Sequence, residues 1–111
     1  MKIKILNKRS LDHKDVEKFY SKTVDILGKY AVVLKTNEEI QSFIQNPLSF
    51  SDKALIIVDD WQSKTKRNWN YAINSFLTSG LVHSNIVVCT QAFLTKTLLR
   101  QKGVEIIKSI Q

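Results

Sequence analysis

An α/β fold is predicted by three observations: a five-stranded, mainly parallel sheet between helical layers, a three-layer α/β/α sandwich. Short apolar runs rich in β-branched residues recur along the chain, and they are apolar throughout, as strands buried on both faces must be. Between them lie stretches whose apolar residues are spaced by three and four, the helical period. Glycine, proline and capping signals fall at the junctions.

The elements follow in order. "KIKIL" (Lys2–Leu6) reads as the first strand. Val16, Phe19, Tyr20, Val24 and Leu27 then mark one face of a long helix that stops near Gly28. "AVVLK" (Ala31–Lys35) is the second strand. Thr36, with Glu39 three residues later, forms a capping box that opens a short helix carrying Ile40, Phe43 and Ile44 and closed by Pro47. "ALIIV" (Ala54–Val58) is the third strand, and Trp69, Ile73, Phe76 and Leu77 are the apolar face of the next helix, which stops near Gly80. "NIVVC" (Asn85–Cys89) is the fourth strand. "AFLTKTLLRQKG" is read as a fourth helix ending at Gly103, and "VEIIKSI" (Val104–Ile110) as a fifth strand. Strands alternating with helices imply right-handed crossovers and a sheet covered on both faces.

Composition bounds the function. The chain has 111 residues, which suits a single domain over 1–111 with a core that requires no disulfide. Its single cysteine, Cys89, is compatible with a reducing compartment. The opening "MKIKILNKRS" has no apolar signal core, and no run approaches the roughly 18 apolar residues of a membrane span. A cytoplasmic protein without membrane association is therefore expected. Lys and Arg number 17 against 10 Asp and Glu, a net charge of +7 that favours polyanionic partners, nucleic acid above all.

The architecture gathers that charge. Ligands of open parallel sheets sit at the carboxyl ends of the strands. Lys8, Arg9 and Lys14 follow the first strand, Lys35 ends the second, and Lys64, Lys66 and Arg67 follow the third. Together with the helix N-termini they predict an anion-binding edge. Trp61 and Trp69 flank the basic segment "WQSKTKRNW"; Trp69 fits the core face of its helix, while Trp61 stays open between core packing and stacking on a base.

At the same edge, "ALIIVDD" runs five apolar residues into Asp59 and Asp60. Carboxylates at a strand end suit Mg²⁺, but the pair alone more often marks a polar turn. His13 and His83 are far apart, and with one cysteine no zinc-ligand spacing appears, so no structural zinc site is expected. Cys89, in mid-strand, is read as a small apolar residue rather than a nucleophile.

Two motifs carry a resemblance. "ALIIVDD" resembles a Walker B strand, and "HSNIVVCTQ" resembles the following strand with a polar sensor, Thr90–Gln91, at its tip. With the order of elements, residues 54–100 resemble the core of the HerA/FtsK superfamily of P-loop ATPases, nearest to viral DNA-packaging and Zot-like enzymes. The resemblance implies a P-loop-like topology, for which a flavodoxin-like one is the alternative. It also implies a viral or mobile-element origin, Asp59 and Asp60 as the Walker B acids, and His83 as the histidine that follows them. The departures lie in the first loop. A P-loop requires G-x-x-x-x-G-K-[ST] after the first strand, so that backbone N–H groups wrap the phosphates. Here Lys14 matches the lysine, but the glycine positions hold Lys8 and His13, and the Ser/Thr position holds Asp15. The family's arginine is replaced by Val82. The reading favoured by the sequence is a non-catalytic, nucleic-acid-associated domain that retains a degenerate P-loop core and binds no cofactor. One alternative is a Mg²⁺-dependent ATPase or nuclease using Asp59, Asp60 and Lys14. Another is an assembly module that homodimerises through an edge strand.

Overall fold

The computed structural model describes residues 2–7, 12–61, 66–81 and 83–107, with Asn7 by its backbone alone. Five parallel strands form one sheet: β1 (Ile3–Asn7), β2 (Ala31–Leu34), β3 (Leu55–Asp59), β4 (Asn85–Thr90) and β5 (Val104–Ile106). Four α-helices connect them: α1 (His13–Leu27), α2 (Asn37–Gln45), α3 (Trp69–Leu77) and α4 (Lys96–Leu99). Lys8, Arg9, Lys64 and Val82, to which the sequence assigns roles, lie outside the described residues.

Each helix begins where a polar side chain can accept its first orphan N–H groups. Asp12 accepts from Lys14 N at 3.0 Å, Asn68 from Tyr71 N at 3.0 Å, and Thr95 from Leu98 N at 3.2 Å. At α2 the expected capping box is present: Thr36 Oγ1 accepts from Glu39 N at 3.2 Å, and Glu39 Oε1 accepts from Thr36 N at 3.1 Å. α1 ends at Gly28, whose φ of 56° is a left-handed value that side chains disfavour.

The strand order is β2-β3-β4-β1-β5. It differs from the flavodoxin-like order 2-1-3-4-5, in which β1 neighbours β2. Handedness then fixes the layers. The connection from β1 to β2 runs along the sheet in one direction, and those from β2 to β3, β3 to β4 and β4 to β5 run in the other. Right-handed crossovers therefore place α1 on one face and α2, α3 and α4 on the other. The buried clusters agree. Ile3, Ile5, Leu34, Ile56, Val58, Ile86 and Val88 pack with Ile40, Phe43, Ile44, Ile73, Phe76 and Leu98. Leu6, Ile57, Val87 and Cys89 pack with Val16 and Tyr20 of α1. Phe43 anchors the larger cluster, its ring 4.9 Å from that of Phe76 and 5.1 Å from that of Phe50.

One element is shorter than the sequence predicts. The fourth helix spans only Lys96–Leu99, because Thr95 takes up an N-cap and the chain before it is not helical. The fifth strand pairs with β1 over Val104–Ile106, and Ile107 N donates to Ile5 O at 2.9 Å; residues 108–110 of the predicted strand lie outside the described residues. No helix among the described residues is long and apolar enough to cross a membrane.

Candidate functional site

The connection out of β1 leaves toward one face and those out of β3 and β4 toward the other. The crevice at such a reversal, beyond the carboxyl ends of the strands, is where a doubly wound sheet binds ligands. The residues gathered there come from the tips of β3 and β4 and the first turns of α1.

Asp59 is the last residue of β3, paired in register with Cys89 on β4. Both follow residues that face α1, Ile57 and Val87, so the two-residue period of a strand turns them toward α1 as well. On α1, Val16 and Tyr20 are buried, and His13 lies on the same stripe, three and seven residues before them. His13 Nε2 donates to Asp59 Oδ2 at 3.1 Å, and Asp59 Oδ1 accepts from Trp61 N at 2.9 Å. Both carboxylate oxygens thus have donors, although the residue is only 5% exposed. His13 also stacks on Trp61, with ring centroids 5.1 Å apart and planes 12° from parallel, and its Nδ1 lies 3.5 Å from Glu17 Oε1. Gln91 Nε2 donates to Trp61 O at 2.9 Å. Trp61 is therefore held by its amide, its carbonyl and one ring face.

Beneath this lie Cys89 and Tyr20, both buried. Burial pushes the Cys89 thiol up to about 12, which keeps it protonated. Burial likewise drives the Tyr20 phenol far above its usual range, with Cys89 and Asp59 as its polar neighbours. The Tyr20 hydroxyl lies beside both but makes no hydrogen bond of full geometry with either.

Asp60 belongs to the opposite face. Its N donates to Cys89 O at 3.0 Å, continuing the ladder by one residue, so its side chain turns away from that of Asp59. It is 7% exposed, and burial holds its carboxyl above the usual carboxylate range; a hydrogen bond with Thr90 and the charge of Arg67 act the other way. Oδ1 of Asp60 has no hydrogen-bond partner. Thr90 also accepts from Ala92 N at 3.0 Å.

The basic residues divide. Lys14, in the first turn of α1, is exposed, as are Lys35 after β2 and Lys66 before α3; Lys35 Nζ stands 4.0 Å from Glu17 Oε1. Arg67 instead turns inward: it donates to Asn37 Oδ1 at 2.8 Å and Gln41 Oε1 at 3.3 Å, with its guanidinium 5.8 Å from the Trp69 ring centroid. Its donors brace α2 against the start of α3. His83 is exposed in the turn preceding β4, at the amino edge of the sheet. β4 spans roughly 20 Å at about 3.3 Å per residue, so His83 stands that far from the crevice.

The chain is thus a doubly wound parallel α/β protein whose crevice holds a histidine, an aspartate and a cysteine on one face and a buried aspartate on the other. No known protein family, curated protein or solved structure matches it.

Proposed function

We propose that this chain is a non-catalytic, nucleic-acid-associated domain built on a degenerate P-loop-like core. The strand order supports the core assignment, since β4 lies between β1 and β3 as an additional-strand arrangement requires. The absence of catalysis is supported by Asp59. Where a Walker B acid would face Mg²⁺ through water, its carboxylate instead faces an imidazole and a thiol, donors that suit softer ions than Mg²⁺. Asp60 faces the other side of the sheet, so the two acids are poorly placed to share one ion.

The observation that carries nucleic-acid association is the edge itself. Exposed Lys14, Lys35 and Lys66 surround the carboxyl ends of the strands in a chain of net charge +7. Neutralising phosphates releases condensed counterions, so log K falls linearly with log salt, with a slope near −0.9 per phosphate on duplex DNA and about −0.7 on single strands. The test is fluorescence anisotropy on labelled single- and double-stranded oligonucleotides across a salt series. Binding should weaken steeply with salt, and a combined Lys14→Ala, Lys35→Ala, Lys66→Ala variant should lose up to about 0.9 of duplex slope per lysine removed. Absence of binding at about 50 mM salt, or a slope untouched by the triple variant, would sink the reading. The competing reading, Mg²⁺-dependent phosphoryl transfer, requires nucleotide or nucleic-acid hydrolysis that Asp59→Ala abolishes.

A further inference from the structure

We propose that His13 Nε2, Asp59 Oδ2 and Cys89 Sγ bind one divalent cation of the zinc class, between α1 and the carboxyl ends of β3 and β4. The donor atoms of these residues lie within 4.8 Å of one another, and His13 Nε2 and Asp59 Oδ2 are already 3.1 Å apart. A tetrahedral zinc with bonds of about 2.0–2.3 Å separates its ligand atoms by roughly 3.3–3.6 Å, so the cluster has to contract by only about 1 Å. An imidazole, a carboxylate and a thiolate form a mixed donor set that suits zinc and its neighbours rather than Mg²⁺ or Ca²⁺. The inference stands whether or not the chain binds nucleic acid.

Two independent features point to a bound cation. The first is Tyr20. Its hydroxyl is buried beside Cys89 and Asp59 without a hydrogen bond of full geometry to either, its residue only 4% exposed. A buried donor left unpaired is costly. When Cys89 becomes a thiolate, the Tyr20 O–H gains a charged acceptor. The second is Glu17. A ligating histidine normally donates its other ring N–H to a carboxylate, which fixes the tautomer. With Nε2 on the cation, the His13 proton resides on Nδ1, and Nδ1 already faces Glu17 Oε1 at 3.5 Å. The site has an outlet, since the His13 side chain is 16% exposed. A water completes the coordination there.

The proton balance is explicit. His13 binds through Nε2 and keeps a proton on Nδ1, Asp59 binds as the carboxylate, and Cys89 loses its thiol proton to solvent. The thiol therefore releases one proton per cation bound.

The test uses the full, untagged chain, stripped with chelator and titrated with Co²⁺ and then with Zn²⁺. Binding of one Co²⁺ should produce a thiolate-to-cobalt charge-transfer band in the near ultraviolet, with tetrahedral bands in the visible. Zn²⁺ should displace it, and calorimetry in two buffers of different ionisation heat should count at least one proton, which Cys89→Ser removes. Cys89→Ser should abolish the charge-transfer band. His13→Gln, at the partly exposed rim and less liable to disturb folding, should weaken Zn²⁺ at least tenfold. Tyr20→Phe, which removes only the hydroxyl, should weaken it about 10–100-fold, the range for partners that support a ligand. His83→Asn should change nothing. A folded chain without the band, or binding lost with His83→Asn and retained in His13→Gln, overturns the proposal.

Discussion

Replacing Asp60 by asparagine should stabilise the protein at neutral pH. The carboxyl is 7% exposed, and its Oδ1 has no hydrogen-bond partner. Burial raises its pKa above the ordinary value, and the opposing contributions of Thr90 and Arg67 do not reverse that direction. Asparagine keeps a side-chain oxygen there and removes only the charge, and burying a charged group with a partner missing costs at least the roughly 1–3 kcal/mol of a neutral one. The sign of the pH dependence follows. Below the unfolded value, about 3.9, the group is protonated in both states and contributes no difference. As pH rises, the unfolded chain ionises first, and stability is lost at up to about 1.4 kcal/mol per pH unit. Above the folded value the loss is constant. Urea titrations followed by tryptophan fluorescence should give wild type and Asp60→Asn similar midpoints near pH 3.5. At pH 7 the variant should lead by about 1–3 kcal/mol, a midpoint shift of roughly 0.5–1.5 M for a slope near 2 kcal/mol/M. Taking the difference cancels the other carboxylates, which are common to both chains. A variant less stable than wild type at pH 7 by more than about 1 kcal/mol would refute the reasoning and mean that the Asp60–Arg67 attraction outweighs the cost of burial.

Two further outcomes bear on the scaffold. Phe43→Ala should cost about 3–5 kcal/mol in the same urea assay, because it empties a fully buried site and removes the ring contacts with Phe76 and Phe50; a loss under about 1 kcal/mol would mean that α2 is not anchored there. Thr36→Ala should cost about 1 kcal/mol. Hydrogen bonds from the Thr36 backbone and then its hydroxyl hold Glu39 below the usual glutamate range, so the share of the cap that rests on the Oγ1–Glu39 carboxylate bond is present above about pH 4.3 and fades as pH falls through the lowered folded value. A cost for Thr36→Ala that is unchanged at pH 2 would contradict that link.

Much of the fold was legible because its signals are local. Apolar β-branched runs mark strands buried on both faces, and Thr36 with Glu39 three residues on announces α2. The fourth helix misled because the periodicity of "AFLTKTLLRQKG" extends past its cap; Thr95 prefers to accept Leu98 N, and the helix starts there. The site was less legible. Lysines on the rim follow from strand direction, whereas Arg67 looks the same in sequence and turns inward to Asn37 and Gln41, a contact set by packing between helices. Sequence spacing gives no zinc pattern, since His13 and His83 lie far apart and the chain has one cysteine. What spacing does not carry is parity: Asp59 and Cys89 each sit two residues beyond a residue facing α1, and His13 continues the Val16–Tyr20 stripe.

Parity also resolves "VDD". Adjacent in sequence, Asp59 and Asp60 suggest a shared ion, yet neighbouring residues on a strand point to opposite faces. Asp59 enters the layer of α1, where an imidazole, a backbone amide, a thiol and a phenol surround it. Asp60 enters the layer of α2 and α3, with Thr90 and Arg67. One sheet edge thus carries two acids in two electrostatic environments: one hydrogen-bonded through both oxygens, the other buried and biased toward its neutral form. A cation added at the first is separated from the second by the plane of the sheet. Asp60→Asn should therefore leave the predicted Co²⁺ charge-transfer band intact while changing stability, and Cys89→Ser should erase the band while leaving the pH-dependent gain of Asp60→Asn in place. If either substitution moved the other's readout, the two acids would have to be treated as one site.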